Sequence, residues 1–167
     1  MLSTDQVVHD LYDDAEVRDA VSARFGSEVA PAGAVDRSAV AQRAFVTPEN
    51  RAWLEGLLWP RVGAKIAAWR EELETRRPSP CAAVVEVPLL FEAGMDGAFD
   101  ATVAVVADEQ LRAGRAGARG HNALEERSAR QFSQQEKAMR ATYVVTNDGT
   151  VEELETKLSA VLENLKP

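Results

Sequence analysis

Cysteine is nearly missing from this chain: Cys81 stands alone among 167 residues. A single thiol builds no internal disulfide framework, and its rarity fits a reducing compartment. Long hydrophobic runs are missing too; none reaches the roughly 18 residues that cross a bilayer as a helix. The opening MLSTDQVVHD lacks the basic-then-apolar order of a secretory signal. These absences lead us to expect a cytoplasmic protein with no membrane partner. Positive charge is in deficit as well. Lys and Arg total 19 against 27 Asp and Glu, a net charge of −8, which argues against nucleic acid as a partner.

What is present can fold. Hydrophobic residues make up 46% of the chain, ample for a core, and the length suits one domain with at most a small lobe. Basic residues are also unevenly spread. Residues 112–140 hold Arg112, Arg115, Arg119, Arg127, Arg130 and Arg140. In an acidic protein, such a segment suits a phosphorylated small ligand, or else a solvated helix face.

Residues 5–25 read as helix, with Ser3 or Thr4 as cap and Gly26 as the stop. Asp36 suits the cap of a short helix. Thr47-Pro48 is a strong helix start, and Pro60 is expected to start or kink a further helix carrying Val62, Ile66, Trp69 and Leu73. The pattern then changes. CAAVVEVP, ATVAVVA and TYVV are short apolar runs of the kind found in strands buried on both faces. Thr150 with Glu153 makes a capping box for a last helix. Strand–helix alternation predicts an α/β fold with a parallel sheet. In such sheets ligands sit beyond the carboxyl ends of the strands. Here those ends fall at Pro88, Asp108 and the turn before Thr150.

The runs VVEVPLLFEAGMD, ARQFSQQEKAMRATYVVTNDGTVEEL and STDQVVHDLY occur in this order and spacing. Together they resemble the dephospho-coenzyme A kinase family, and the likeness extends from Ser3 into the C-terminal helix. The resemblance implies a single P-loop kinase-like domain over 1–167. Within it, 5–76 is a helical acceptor-binding lobe, 82–107 and 141–167 form the sheet core, and 108–140 is the lid region. It implies transfer of the ATP γ-phosphate, with Mg2+, to the ribose 3′-hydroxyl of dephospho-coenzyme A.

Carried over residue by residue, Asp5 matches an acid just after the family's second strand, where it can orient the acceptor hydroxyl or take its proton. An acid in a first helical turn is also favoured by the helix dipole. His9, one turn on, is placed to touch the acceptor. Pro88 and Leu89 shape the acceptor site. Arg115 and Arg119 fall in the lid, where guanidinium forks suit transferring phosphate. Asn147 marks the adenine end of the nucleotide site, and Asn147-Asp148-Gly149 is equally a good turn. Trp59-Pro60 stands where the family has His-Pro, which makes Trp59 a packing residue.

One family signature is not among these residues. None of Lys65, Lys137, Lys157 and Lys166 lies in G-x-x-x-x-G-K-[ST], the loop that cradles phosphates. In the family this loop precedes the counterpart of LSTDQVVHDL. The expectation is therefore a chain without its first strand–loop–helix unit, inactive alone, and open to self-association through exposed sheet edges. Met1 as an internal residue of a longer frame fits best; a deletion also fits. A non-catalytic coenzyme A- or nucleotide-binding module, or a regulatory subunit on the same scaffold, stays open.

Overall fold

A computed structural model describes residues 1–118 and 131–165. The chain divides into two compact units, Met1–Pro88 and Leu89–Pro167.

The first unit opens with a two-residue strand, β1 (Leu2–Ser3), that runs directly into helix α1 (Thr4–Leu11). Helices α2 (Ala15–Phe25), α3 (Arg37–Ala44) and α4 (Pro48–Thr75) follow, and strand β2 (Val85–Glu86) closes the unit. The helix expected over 5–25 is thus two helices. The N–H groups of Tyr12, Asp13 and Asp14 each bond three residues back, which tightens the end of α1. The Asp14 carboxylate then accepts from the Glu16 N–H at 2.8 Å and starts α2. Asp36 and Thr47 cap α3 and α4 as their positions suggest. Pro60 does not divide α4, which is continuous from Pro48 to Thr75. Beside the proline, Arg61 Nη1 donates to the Leu57 carbonyl at 2.8 Å.

The core of this unit joins Val7 and Leu11 of α1, Val17, Val21 and Phe25 of α2, and Leu54, Leu58 and Val62 of α4. The Phe25 ring meets Trp53 edge to face, with centroids 5.4 Å apart. Trp59, expected to pack, is 41% exposed, whereas its neighbour Leu58 is 6% exposed. Leu58→Ala should therefore cost about 2–5 kcal/mol. Trp59→Ala should leave the melting temperature much closer to that of the parent, and thermal denaturation of the two variants compares them directly.

The second unit begins with a single helical turn over residues 89–94. Ala93 N–H bonds the Leu89 carbonyl and Met95 N–H bonds the Leu90 carbonyl, both at 3.0 Å. Gly94 closes the turn at φ +63°, a left-handed conformation natural to glycine. Strands β3 (Val103–Val106) and β4 (Tyr143–Thr146) pair in parallel, Val103 against Tyr143 through Val106 against Thr146. Helices α5 (Glu109–Ala118), α6 (Gln134–Arg140) and α7 (Val151–Asn164) accompany them. Capping boxes, Ser133 with Glu136 and Thr150 with Glu153, start α6 and α7. Thr150→Ala removes one partner of its box and should cost about 1 kcal/mol, visible as a lower midpoint in urea.

The α/β class with parallel strands is as expected, but the strands are less enclosed than their composition suggests. Val84, Val103, Val105 and Val144 are between 40% and 51% exposed. Among the described residues, β1 pairs with β2 and β3 with β4, so each sheet is two strands wide, too narrow to have both faces shielded.

Candidate active site

In the first unit, Ser3 pairs with Glu86 at the carboxyl ends of β1 and β2. The junction is fixed by Thr4, a buried residue whose hydroxyl donates to the Glu86 carbonyl at 3.0 Å. Ser3 occupies the capping position of α1 without a side-chain cap bond. Asp5 follows in the first turn, exposed, and His9 lies in the last turn, also exposed. Their spacing of four puts them on one helix face. β2 ends just before Val87 and Pro88. Asp5 and Pro88 each stand two residues beyond the carboxyl end of a paired strand, and His9 lies one turn further along α1. Tying the start of α1 to β2 through Thr4 gives the Asp5 backbone a fixed place while its carboxylate stays open to solvent.

In the second unit, β3 and β4 end in a densely wired pair of turns. The Asn147 N–H bonds the Val106 carbonyl at 2.7 Å, carrying the pairing one step beyond the strands. The Asp148 carboxylate accepts from the Asp108 N–H at 2.7 Å. Asp108 in turn caps α5, accepting from Gln110 N–H at 2.9 Å and Leu111 N–H at 3.2 Å. Arg115, on α5, reaches back across the same turn. Its Nη1 donates to the Asn147 carbonyl at 2.7 Å and its Nη2 to the Gly149 carbonyl at 3.4 Å. Arg115 and Asn147 are thus brought together, through the backbone of the 147–149 turn. Arg119 lies outside the described residues.

The Gln134 side chain grips Ala107 at both ends. Its Oε1 accepts from the Ala107 N–H at 2.8 Å and its Nε2 donates to the Ala107 carbonyl at 2.9 Å. Beside this clamp lies a groove of about 480 Å³ lined by Val106, Ala107, Glu109, Arg112, Phe132 and Gln134. Arg112 is paired with Glu109 on its rim.

Two bonds from Ser133 hold the Glu136 carboxyl below the usual carboxylate range. A depressed carboxylate stabilises the fold above its unfolded pKa, and that contribution is lost as pH falls through the folded value. The start of α6 should therefore loosen under acid conditions.

Leu89 is 40% exposed, Leu90 is half-buried and Phe91 is 9% exposed. Of the three apolar residues after Pro88, Leu89 is the one a ligand can reach. Glu92, within VVEVPLLFEAGMD, carries no signal in the sequence beyond that motif. Its Oε1 accepts from the Phe132 N–H at 2.8 Å and pairs with Lys137 Nζ at 3.0 Å. Gln134 and Asp148 likewise carried no special signal, because amides and acids beside turns are common. Among the described residues, no group of three His, Cys, Asp or Glu side chains converges as a metal site.

Parallel strands whose carboxyl ends lead into capped helices, with a run of helices between β1 and β2, are the α/β arrangement of the P-loop kinase fold. A family model described as dephospho-CoA kinase matches residues 1–153. A dephospho-CoA kinase of Deinococcus radiodurans is 40% identical over 83% of this chain and 67% of its own length. One from Protochlamydia amoebophila is 35% identical over 99% of this chain and 83% of its own. A crystal structure of a Thermus thermophilus protein superposes with a TM-score of 0.76 at 33% identity, covering 99% of this chain and 84% of that one. Dephospho-CoA kinase from Campylobacter jejuni, at 22% identity and a TM-score of 0.67, shares the fold. The chain belongs to the dephospho-CoA kinase family, a family of ATP-dependent kinases.

Proposed function

We propose that this chain supplies the acceptor side and part of the nucleotide side of a dephospho-CoA kinase. The reaction moves the ATP γ-phosphoryl group to the ribose 3′-hydroxyl of dephospho-CoA, yielding CoA and ADP. The observation that carries the reading is Asp5, an open carboxylate one residue past the Thr4–Glu86 tie at a parallel sheet's carboxyl edge. In this reading the 3′-oxygen attacks the γ-phosphorus and forms the new P–O bond. The bond to the β,γ-bridging oxygen breaks, its electrons leave with ADP, and the hydroxyl proton passes to Asp5.

His9, Pro88 and Leu89 border the acceptor. Asn147 borders the nucleotide. Arg115 and Arg119 serve the phosphates, with Arg115 also holding the 147–149 turn. Mg2+ would arrive with the ATP phosphates, held by them, by water and by one or two carboxylates, and would offset their charge. No cluster among the described residues is assigned to it, and no step here depends on one. ATP and dephospho-CoA are the proposed partners. The site of action is the cytoplasm, and no helix among the described residues is long and apolar enough to cross a membrane.

Calorimetric titration with dephospho-CoA tests the acceptor assignment. Saturable binding to the folded chain is expected, and a folded chain that binds none would overturn it. We also propose that the open edges of β3 and its neighbours, with Val103 and Val105 exposed, favour self-association. Light scattering behind size exclusion should show the mass rising with concentration; a monomer at every concentration contradicts this.

A further inference from the structure

We propose that Glu92 is a positioning residue for the acceptor, holding the turn that carries Leu89. The inference rests on the reading that Leu89 borders dephospho-CoA. Glu92 sits inside the 89–94 turn, three residues after Leu89. Its side chain is 13% exposed and its ion-pair partner Lys137 is 24% exposed. Both of its Oε1 contacts lead away from the turn, to the Phe132 backbone and to Lys137 of α6. Oε2 is buried with no donor among the described residues. A carboxylate held this far from water persists only where its partners compensate it, so the placement is a constraint and not a solvated surface pair.

The two sides of this tie are not equally secured. The start of α6 has anchors of its own. Gln134 grips Ala107 at 2.8 and 2.9 Å, the Ser133–Glu136 box closes the first turn, and the Arg140 guanidinium lies 4.2 Å from the Phe132 ring centroid. The 89–94 turn has its own short-range backbone bonds and the left-handed Gly94, which shape it locally, and Phe91, 9% exposed, holds it by apolar burial. Glu92 supplies its polar tie to the start of α6. Removing it loosens the turn, and with it Leu89, while α6 keeps its place.

The test compares the 167-residue chain with Glu92→Ala and Glu92→Gln. Dephospho-CoA affinity is measured by calorimetry, and backbone protection by amide hydrogen exchange. Glu92→Ala should weaken dephospho-CoA binding about tenfold, near 1.4 kcal/mol. Exchange should quicken at Leu90–Met95 while α6 stays protected. Glu92→Gln keeps an oxygen for the Phe132 N–H and loses the charge, so it should lie between parent and Ala in both readouts.

Equal affinity in parent and Glu92→Ala overturns the inference. So does faster exchange spread evenly over the turn and α6, which marks a general loss of stability. If Glu92→Ala does not fold, Glu92→Gln decides on the same two readouts: unchanged affinity with unchanged exchange in the turn is the overturning result. A folded parent that binds no dephospho-CoA removes the functional reading and this inference with it. Binding by parent and Glu92→Ala alike removes this inference alone.

Discussion

A polypeptide of these 167 residues, supplied with ATP, Mg2+ and dephospho-CoA, should form CoA at least about 10²–10³-fold more slowly than a kinase with a complete phosphate cradle. The reason is chemical inventory. Phosphoryl transfer asks little covalent chemistry of the protein and much electrostatic positioning. The backbone N–H groups and lysine of G-x-x-x-x-G-K-[ST] supply most of that positioning, and no such sequence occurs here. Each preorganised donor aimed at developing charge is worth about 10²–10³-fold in rate. Lys137, the lysine nearest the β3 groove in sequence, is engaged with Glu92. Lys157 donates to the Thr146 carbonyl at 2.7 Å. Neither is placed as a substitute. A coupled assay that follows ADP release decides the matter. Turnover of roughly 1–100 s⁻¹, ordinary for kinases, would contradict the prediction. Fusing a strand–loop–helix unit with that motif ahead of Met1 should raise the rate steeply. No gain from the fusion, in a protein shown to be folded, would place the defect elsewhere.

The helical first unit was largely legible because its signals are local. Asp36 and Thr47-Pro48 start helices where their side chains can reach free N–H groups, and they do so in the structure. The break at Tyr12–Asp14 was not legible. The apolar positions on either side keep a helical rhythm, and only the Asp14 cap shows that the rhythm restarts. Pro60 misled in the opposite direction, since α4 runs through it. A proline costs one backbone bond, and a helix with Leu54, Leu58 and Val62 all buried can bear that loss.

Strand burial misled for another reason. Val103 and Val105 have the composition of an enclosed strand, but enclosure depends on neighbours that composition does not count. At the site, the motif order located Asp5, Pro88 and Asn147 at strand ends. Within each unit the bonds that fix the strand ends come from Thr4, Gln134 and Asp148, whose partners lie 27 to 82 residues away. Long-range pairing of that kind leaves no periodic trace in a single sequence. Arg115 lies between these cases: its type pointed to phosphate, and its geometry adds a structural duty at Asn147 and Gly149.

In the protein fused to a phosphate-binding unit, Asp5→Asn should lower turnover by about 10²–10⁴-fold, the contribution of a positioned base. ATP-analogue affinity should hardly change. Thr4 binds the Glu86 carbonyl, so residue 5 leaves the carboxyl edge of the sheet from a fixed point. Asp5 is exposed there, in the first turn of α1. A carboxylate serving only the helix dipole would contribute about 0.3–1 kcal/mol to stability and nothing to turnover. Asn keeps the shape and loses the proton acceptor, so the two roles separate cleanly. His9→Ala, a turn further along α1, should cost much less than Asp5→Asn. Steady-state kinetics, analogue titration and thermal melts on the same preparations distinguish the outcomes. If Asp5→Asn keeps turnover within about threefold of the parent while the melting temperature falls, Asp5 serves the helix and the proton goes elsewhere.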